Sequence, residues 1–176
     1  MEAVIELLDE GDLTPTGARI AERADVSLRS IGHHFEDREA LLAAVAAHQL
    51  VGILAGVVRI HRAAGFEERL DAFLDQRSRV LEALTNVSRA STVHEATSAE
   101  LRRRRQDLLA LGRAEVRQVF AAELRSEGEL DPELLDAADV AAGWNTWWWL
   151  RSGGLDEGSA QRVVRRMLAA LLAPPP

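Results

Sequence analysis

The sequence predicts an all-α protein of about nine helices, with a head of three short helices followed by a larger helical body. Three observations predict it. Apolar residues recur at three- and four-residue spacing almost throughout, and no stretch alternates as a strand does. Capping residues and glycine or proline breakers divide the chain into helix-length pieces. The 176 residues are 47% apolar and 28% charged, enough to bury a core and too apolar for a disordered chain.

The first helix spans residues 3–10. Ile20, Ala21 and Ala24 then share one face of a second. Asp25 tolerates the left-handed conformation that a sharp turn demands, and Val26 is placed to plug the corner. Ser27 is a good N-cap for a third helix, 28–35, with Ile31 and Phe35 one turn apart on its buried side. The opposite side carries Arg29, Ser30, Gly32 and His33, residues that are small or can donate hydrogen bonds. Such a helix fits the major groove of DNA, about 12 Å wide, so the segment reads as a helix-turn-helix. Arg29, Ser30 and His33 are the candidates for base contact, with Leu28 offering an apolar one. Thr16, Ser27, His34 and Arg38 suit phosphate contact or capping.

Glu36-Asp37 opens a fourth helix expected to run to His61 and close at Gly65. A fifth covers 66–87, and the polar stretch 88–98 has room for a short sixth. Thr97 with Glu100 makes a capping box for a seventh reaching Glu127. Asp131 and Pro132 open an eighth that ends near Gly153-Gly154, and Asp156 caps a ninth, stopped by the prolines at 174–176.

Polar residues interrupt apolar stripes at three places: Gln49 on the fourth helix, Arg77 on the fifth beside Phe73, and Asn145 on the eighth between Trp144 and Trp148. A polar group left unpaired in a core costs about 1–3 kcal/mol, so these residues need partners. One reading makes them anchors of a small-molecule pocket walled by Trp144, Trp148 and Phe73, with Arg77 favouring an acid or polar oxygenated ligand. The other makes Arg77 half of an internal salt bridge and Asn145 a core filler. Gly112, in mid-helix, marks either a close helix approach or a pocket wall. Trp144, Trp147 and Trp148 share one helical face, so Trp149 must point elsewhere; the helix is expected to be buried on more than one side, with Trp147 a candidate for a subunit interface. The ninth helix carries its own stripe of Val163, Val164, Met167, Leu168 and Leu171. Together with Leu150, these residues suit an interface between subunits.

All 21 basic residues are arginine, and the net charge is −7. In residues 1–50 four arginines face ten acids, a balance of −6, so any positive surface on the head is local. Arg102 to Arg105 point all round a helix and form no single face; ion pairs with acids such as Glu100 account for them. Without cysteine there is no disulfide, thiol catalysis or cysteine-ligated zinc, and the five histidines lack metal-ligand spacing. No phosphate-binding glycine loop or nucleophile elbow occurs, and no cofactor or enzymatic activity is expected. No secretory signal is visible and no apolar run approaches the roughly 20 residues that cross a bilayer, so a cytoplasmic protein is expected.

The pattern Thr16-x-x-x-Ile20-Ala21-x-x-Ala24-Asp25-Val26-Ser27-x-x-Ser30-Ile31-x-x-His34-Phe35, followed by Arg38-Glu39-Ala40-Leu41, resembles the N-terminal signature of the tetracycline-repressor (TetR) family. Asp25 stands where the family usually has glycine, and Gly32 where it usually has tyrosine. The basic arm that often precedes the first helix is absent before Met1, so either the start is truncated or DNA is held less tightly. The resemblance implies a helix-turn-helix DNA-binding domain over 1–42 and a ligand-binding and dimerisation domain over 43–176. It implies a homodimer on a palindromic double-stranded DNA operator, in most relatives a repressor, released by a small-molecule effector. It also places the effector cavity among the helices bearing Gln49, Arg77 and Asn145, and the subunit interface on the last two helices. The alternatives are a helical protein-interaction module that has lost DNA binding, and a small-molecule-binding bundle or cryptic enzyme using Arg77 and His94.

Overall fold

The computed structural model describes the chain except for Glu36, Arg62, Thr97 and residues 174–176; of His34 and Arg38 it describes the backbone alone. Among the described residues the fold is all-α, with nine helices: α1 (Glu2–Asp9), α2 (Gly17–Arg23), α3 (Leu28–His34), α4 (Arg38–Ala55), α5 (Phe66–His94), α6 (Ala99–Val119), α7 (Pro132–Ala141), α8 (Trp144–Ser152) and α9 (Glu157–Leu172). Between α6 and α7 lies a two-stranded antiparallel hairpin, β1 (Arg125–Ser126) and β2 (Glu129–Leu130), in register Arg125 with Leu130 and Ser126 with Glu129. Its turn uses Glu127 at φ 54° and Gly128 at φ 87°, the paired left-handed conformations of a tight hairpin.

The chain forms two compact units, Met1–Gly56 with Ala83–Gln106, and Val57–Glu82 with Asp107–Pro176. Helices α5 and α6 therefore contribute residues to both. Apolar side chains buried in the first unit come from α1 (Val4, Leu7, Leu8), α2 (Ile20, Ala21) and α4 (Leu42, Val45), and from the ends of α5 (Leu84, Val87) and α6 (Leu101). Asn86 on α5 donates to Asp9 at the end of α1, 2.9 Å away. In the second unit Leu70, Phe73 and Leu74 of α5 pack with Val116 and Phe120, with Ala138 and Ala141 of α7, with Trp147, and with Ala160, Val164 and Leu168 of α9. Phe73 meets Phe120 edge-on, ring centres 5.2 Å apart.

Most helix starts are those that short polar side chains predict. Thr16, Ser27, Asp37, Asp131 and Asp156 each accept the backbone N–H three residues on. Helix α6 has Ser98 in that position, its buried hydroxyl accepting from Leu101 N–H at 3.2 Å, while the expected cap, Thr97, lies outside the described residues.

The interior boundaries differ from expectation. The fourth helix stops at Ala55, capped by Gly56, and does not reach His61. Two residues on, the Val58 N–H donates to the Gln76 side chain at 2.8 Å, a tertiary acceptor in place of a helical one. The separate sixth helix does not form. Helix α5 runs on to His94, because its serines and threonines stay in the helical ladder; the Thr92 hydroxyl folds back onto Ser88 O at 2.9 Å. Helix α6 ends at Val119; residues 120–124 turn, and the hairpin begins at Arg125, where the helix was expected to run on to Glu127.

The expected eighth helix is two. Gly143 adopts an extended ψ of 161° and starts α8 anew. A Cβ there would lie 3.0 Å from Asp139 O, and Thr146 Oγ1 donates to Val140 O at 2.6 Å, satisfying a carbonyl that the break leaves open. Val26 is 45% exposed, so it does not plug the corner.

Candidate functional site

The turn between α2 and α3 follows from one residue. Asp25, at φ 52°, takes the left-handed conformation while Val26 N–H closes back onto Ala21 O at 3.0 Å. The chain then reverses into Ser27, whose hydroxyl accepts Ser30 N–H at 3.1 Å and lies 3.0 Å from the Ser30 hydroxyl. At the other end of the pair a Cβ on Gly17 would sit 3.0 Å from the Leu28 methyl, so α2 begins close against the start of α3. Ile31 and Phe35 are half-buried, which seats α3. Leu28, Arg29, Gly32 and His33 are exposed, and their spacing of one, three and one puts them on one flank. Nothing lies within 4 Å of a Cβ built on Gly32. Thr16 and Ser27 are exposed and engaged as caps, Ser30 is half-buried, and the side chains of His34 and Arg38 lie outside the described residues.

Electrostatics sharpen this picture. Arg23 is tied to Glu6 at 3.2 Å and Glu10 at 2.8 Å, and Arg19 to Asp12 at 2.7 Å. The hydrogen bond to Arg23 holds the Glu10 carboxyl below its ordinary range, and the same pairing raises Arg23. Both arginines are thus neutralised by acids of α1 and the following loop. Arg29 has no ionic partner among the described residues. The positive charge on the exposed flank of α3 is Arg29 together with the helix N-terminus.

The second unit holds most of the remaining candidates, but the break at Gly143 rearranges them. A continuous helix would have set Ala138, Ala141, Asn145 and Trp148 on one inward stripe. Restarting at Gly143 shifts the phase, so the fully buried indole is Trp147, 2% exposed, and Asn145 is exposed. Asn145 is therefore neither a core filler nor an anchor in a buried stripe. Trp147 belongs to the core of the second unit, where the sequence suggests an interface; its Nε1–H donates to Glu82 Oε1 at 2.9 Å. Val164 and Leu168 are likewise core, and Leu150 packs against it half-buried. Val163 is half-buried. Met167 and Leu171 face outward, together with Val140 at 68% and Trp149 at 78% exposure. Trp144 and Trp148 stack with ring centres 6.3 Å apart and planes 10° from parallel.

Arg77 is 8% exposed. Its guanidinium lies 4.9 Å from the ring centre of Phe73, which is itself fully buried. Nη2 donates to Gly112 O at 2.9 Å and pairs with Glu115 at 3.1 Å. Gly112 marks a close approach, since a Cβ there would lie 2.9 Å from Arg77 Nη1. Burial lowers the guanidinium pKa, against the opposing pull of Glu115 and Asp139. Sequence reasoning missed Gln76 and Glu115. Gln76 Nε2 donates to Glu115 Oε1 at 2.9 Å while its Oε1 accepts from Val58. The signal available for Glu115 was its position three residues after Gly112 on the same helix. Gln49 sits in the first unit with its Oε1 buried and unpaired among the described residues. His94 likewise falls in the first unit, whereas Arg77 is in the second. Arg103 and Arg104 share Glu100, Arg105 pairs with Glu95, and Arg102 donates to the Glu95 backbone carbonyl at 2.6 Å, so each of the four is engaged within its own surroundings.

No group of three or more histidines and carboxylates suited to a metal occurs among the described residues, and no helix there is long and apolar enough to cross a membrane. No protein-family model matches the chain, and no curated protein matches it. The crystal structure of a transcriptional regulator from Rhodococcus sp. Rha1 is similar in fold. The two chains share 18% identity and a TM-score of 0.76, over 97% of this chain and 92% of that one.

Proposed function

We propose that this chain is a transcriptional regulator of the TetR type, most simply a repressor, that binds a palindromic DNA operator as a homodimer and releases it on binding a small-molecule effector. The observation that carries this is the outward flank of α3, where Leu28, Arg29, Gly32 and His33 stand together on a helix seated by Ile31 and Phe35. Arg29 and His33 read base edges, with Ser30 and Leu28 beside them. The open space at Gly32 lets the helix backbone approach the duplex, and Thr16, Ser27, His34 and Arg38 border the phosphates. The fold likeness to the Rhodococcus regulator supports the reading.

Dimerisation draws on apolar side chains that α7, α8 and α9 leave outside the core, Val140, Trp149, Met167 and Leu171, with Val163 beside them. A palindromic operator then requires two recognition helices that reach half-sites about one DNA turn, ~34–36 Å, apart. An effector that binds the DNA-incompetent geometry more tightly shifts the population toward it and frees the operator. Arg77 is the polar anchor of its site, with Trp144 and Trp148 on the same unit as aromatic surface.

The test is fluorescence anisotropy of the full chain with the DNA flanking its own gene, at two salt concentrations. A sequence-specific, salt-sensitive complex is expected. A second reading, a helical interaction module without DNA binding, draws on the neutralised Arg19 and Arg23 and the acidic balance of the head. Absence of any specific complex selects it.

A further inference from the structure

The buried guanidinium of Arg77 is only partly satisfied. Nη2 has Gly112 O and Glu115, but Nε is buried and has no acceptor among the described residues. An N–H donor held in a core without an acceptor is costly, and more so on a cation. Nε and Nη2 share one edge of the guanidinium, and that edge is the one that takes a carboxylate through two parallel hydrogen bonds. Glu115 reaches Nη2 and leaves Nε alone, so the internal pairing forms half of what the edge can make. Glu115 is also the more accessible partner, its side chain 31% exposed against 10% for Arg77.

We propose that this edge of Arg77 receives the carboxylate of a small organic acid, and that Glu115 is the internal carboxylate the ligand displaces. The site rests on the effector-responsive reading above and names the effector's class. Displacement has a built-in consequence. Glu115 Oε1 holds Gln76 Nε2 at 2.9 Å, and Gln76 Oε1 holds the Val58 N–H at 2.8 Å. Once Glu115 moves, Gln76 loses the bond that orients its amide, and the clip on Val58, two residues after the cap of α4, loosens. One carboxylate exchange at Arg77 is thereby coupled to the backbone that follows the fourth helix. Gly112 lets the helices approach closely here, since a Cβ at that position would lie 2.9 Å from Arg77 Nη1 and the guanidinium would have to shift.

The test is ¹H–¹⁵N NMR on the full chain without DNA, following the Arg77 Nε–H, assigned with Arg77→Lys, and the Val58 amide. The probes are acetate, hexanoate, decanoate and benzoate, with hexanamide as the uncharged twin. At least one acid moves both resonances along a single saturation curve, and hexanamide moves neither. Glu115→Gln, which keeps the shape and removes the competing charge, binds that acid about tenfold tighter, as loss of a charge-assisted competitor implies. Three results would each overturn the proposal: no saturable movement with any of the acids, equal movement with hexanamide, or weaker binding by Glu115→Gln. Because no readout contains DNA, failure to bind an operator would sink the regulator reading and leave this one standing, and a silent titration would do the reverse.

Discussion

Trp147 donates its indole N–H to Glu82 from inside the second unit, and Arg151 reaches the same carboxylate oxygen at 2.6 Å. The indole that the sequence assigns to a subunit interface is therefore a core residue with a satisfied polar edge. Trp147→Ala should destabilise the fold by about 3–5 kcal/mol, the cost of an aromatic-sized cavity. Trp147→Phe should cost much less, since Arg151 still pairs with Glu82. Urea unfolding measures both. Near-wild-type stability in Trp147→Ala would return this residue to the surface.

Trp149 and Met167 carry the opposite expectation, being 78% and 37% exposed. Charged replacements, Trp149→Glu with Met167→Glu, should convert a dimer to a monomer in sedimentation velocity while secondary structure by circular dichroism is retained. A dimer unchanged in both variants would place the interface elsewhere.

Gly32 and Gly143 should respond oppositely to alanine. At Gly32 the added methyl meets nothing and the helix gains intrinsic propensity, up to about 1 kcal/mol. At Gly143 it meets a carbonyl oxygen at 3.0 Å where α7 hands over to α8, so destabilisation is expected. Thermal denaturation of the two variants gives both signs.

On the proposed interface Arg29→Ala should weaken specific DNA binding by about 1–3 kcal/mol, whereas Arg19→Ala, already neutralised by Asp12, should change it little. Anisotropy titrations compare them directly. Equal losses would mean that no base is read by Arg29.

The Arg69–Glu123 pair supplies a pH signature. It is bidentate, at 2.5 and 3.0 Å, with side chains 8% and 10% exposed, and Arg69 also caps Val119 O at 2.6 Å. Burial alone pushes the Glu123 carboxyl up, but the hydrogen bond from Arg69 holds it below its ordinary value. A carboxylate depressed in the folded state stabilises above its unfolded pKa of about 4.3, and that contribution is lost as pH falls through the folded value. Stability should therefore decline below about pH 4 in the wild type. Glu123→Gln should already be about 3 kcal/mol less stable at neutral pH, with a flatter acid limb, because Arg69 is left buried without its counter-charge. Urea midpoints across this range measure it.

What the sequence by itself determined is local: the caps at Thr16, Ser27, Asp131 and Asp156, the left-handed turn at Asp25, and the half-buried seat of α3 at Ile31 and Phe35. Each of these is an interaction between residues a few positions apart, so its geometry is written in their spacing. What only the tertiary structure decided is where long helices stop and which side of them is inside. Gly56, Gly65 and Gly143 look alike in sequence, yet the first and last end or break a helix. Val58 and Val140 near those breaks find partners in the side chains of Gln76 and Thr146. Helical periodicity defines a face only until a break resets its phase, by about 100° for each residue gained or lost. That is why Trp147 and Asn145 exchanged places between core and surface. Arg77 stood out in sequence as polar on an apolar stripe, but its partner, 38 positions away on α6, was supplied by packing.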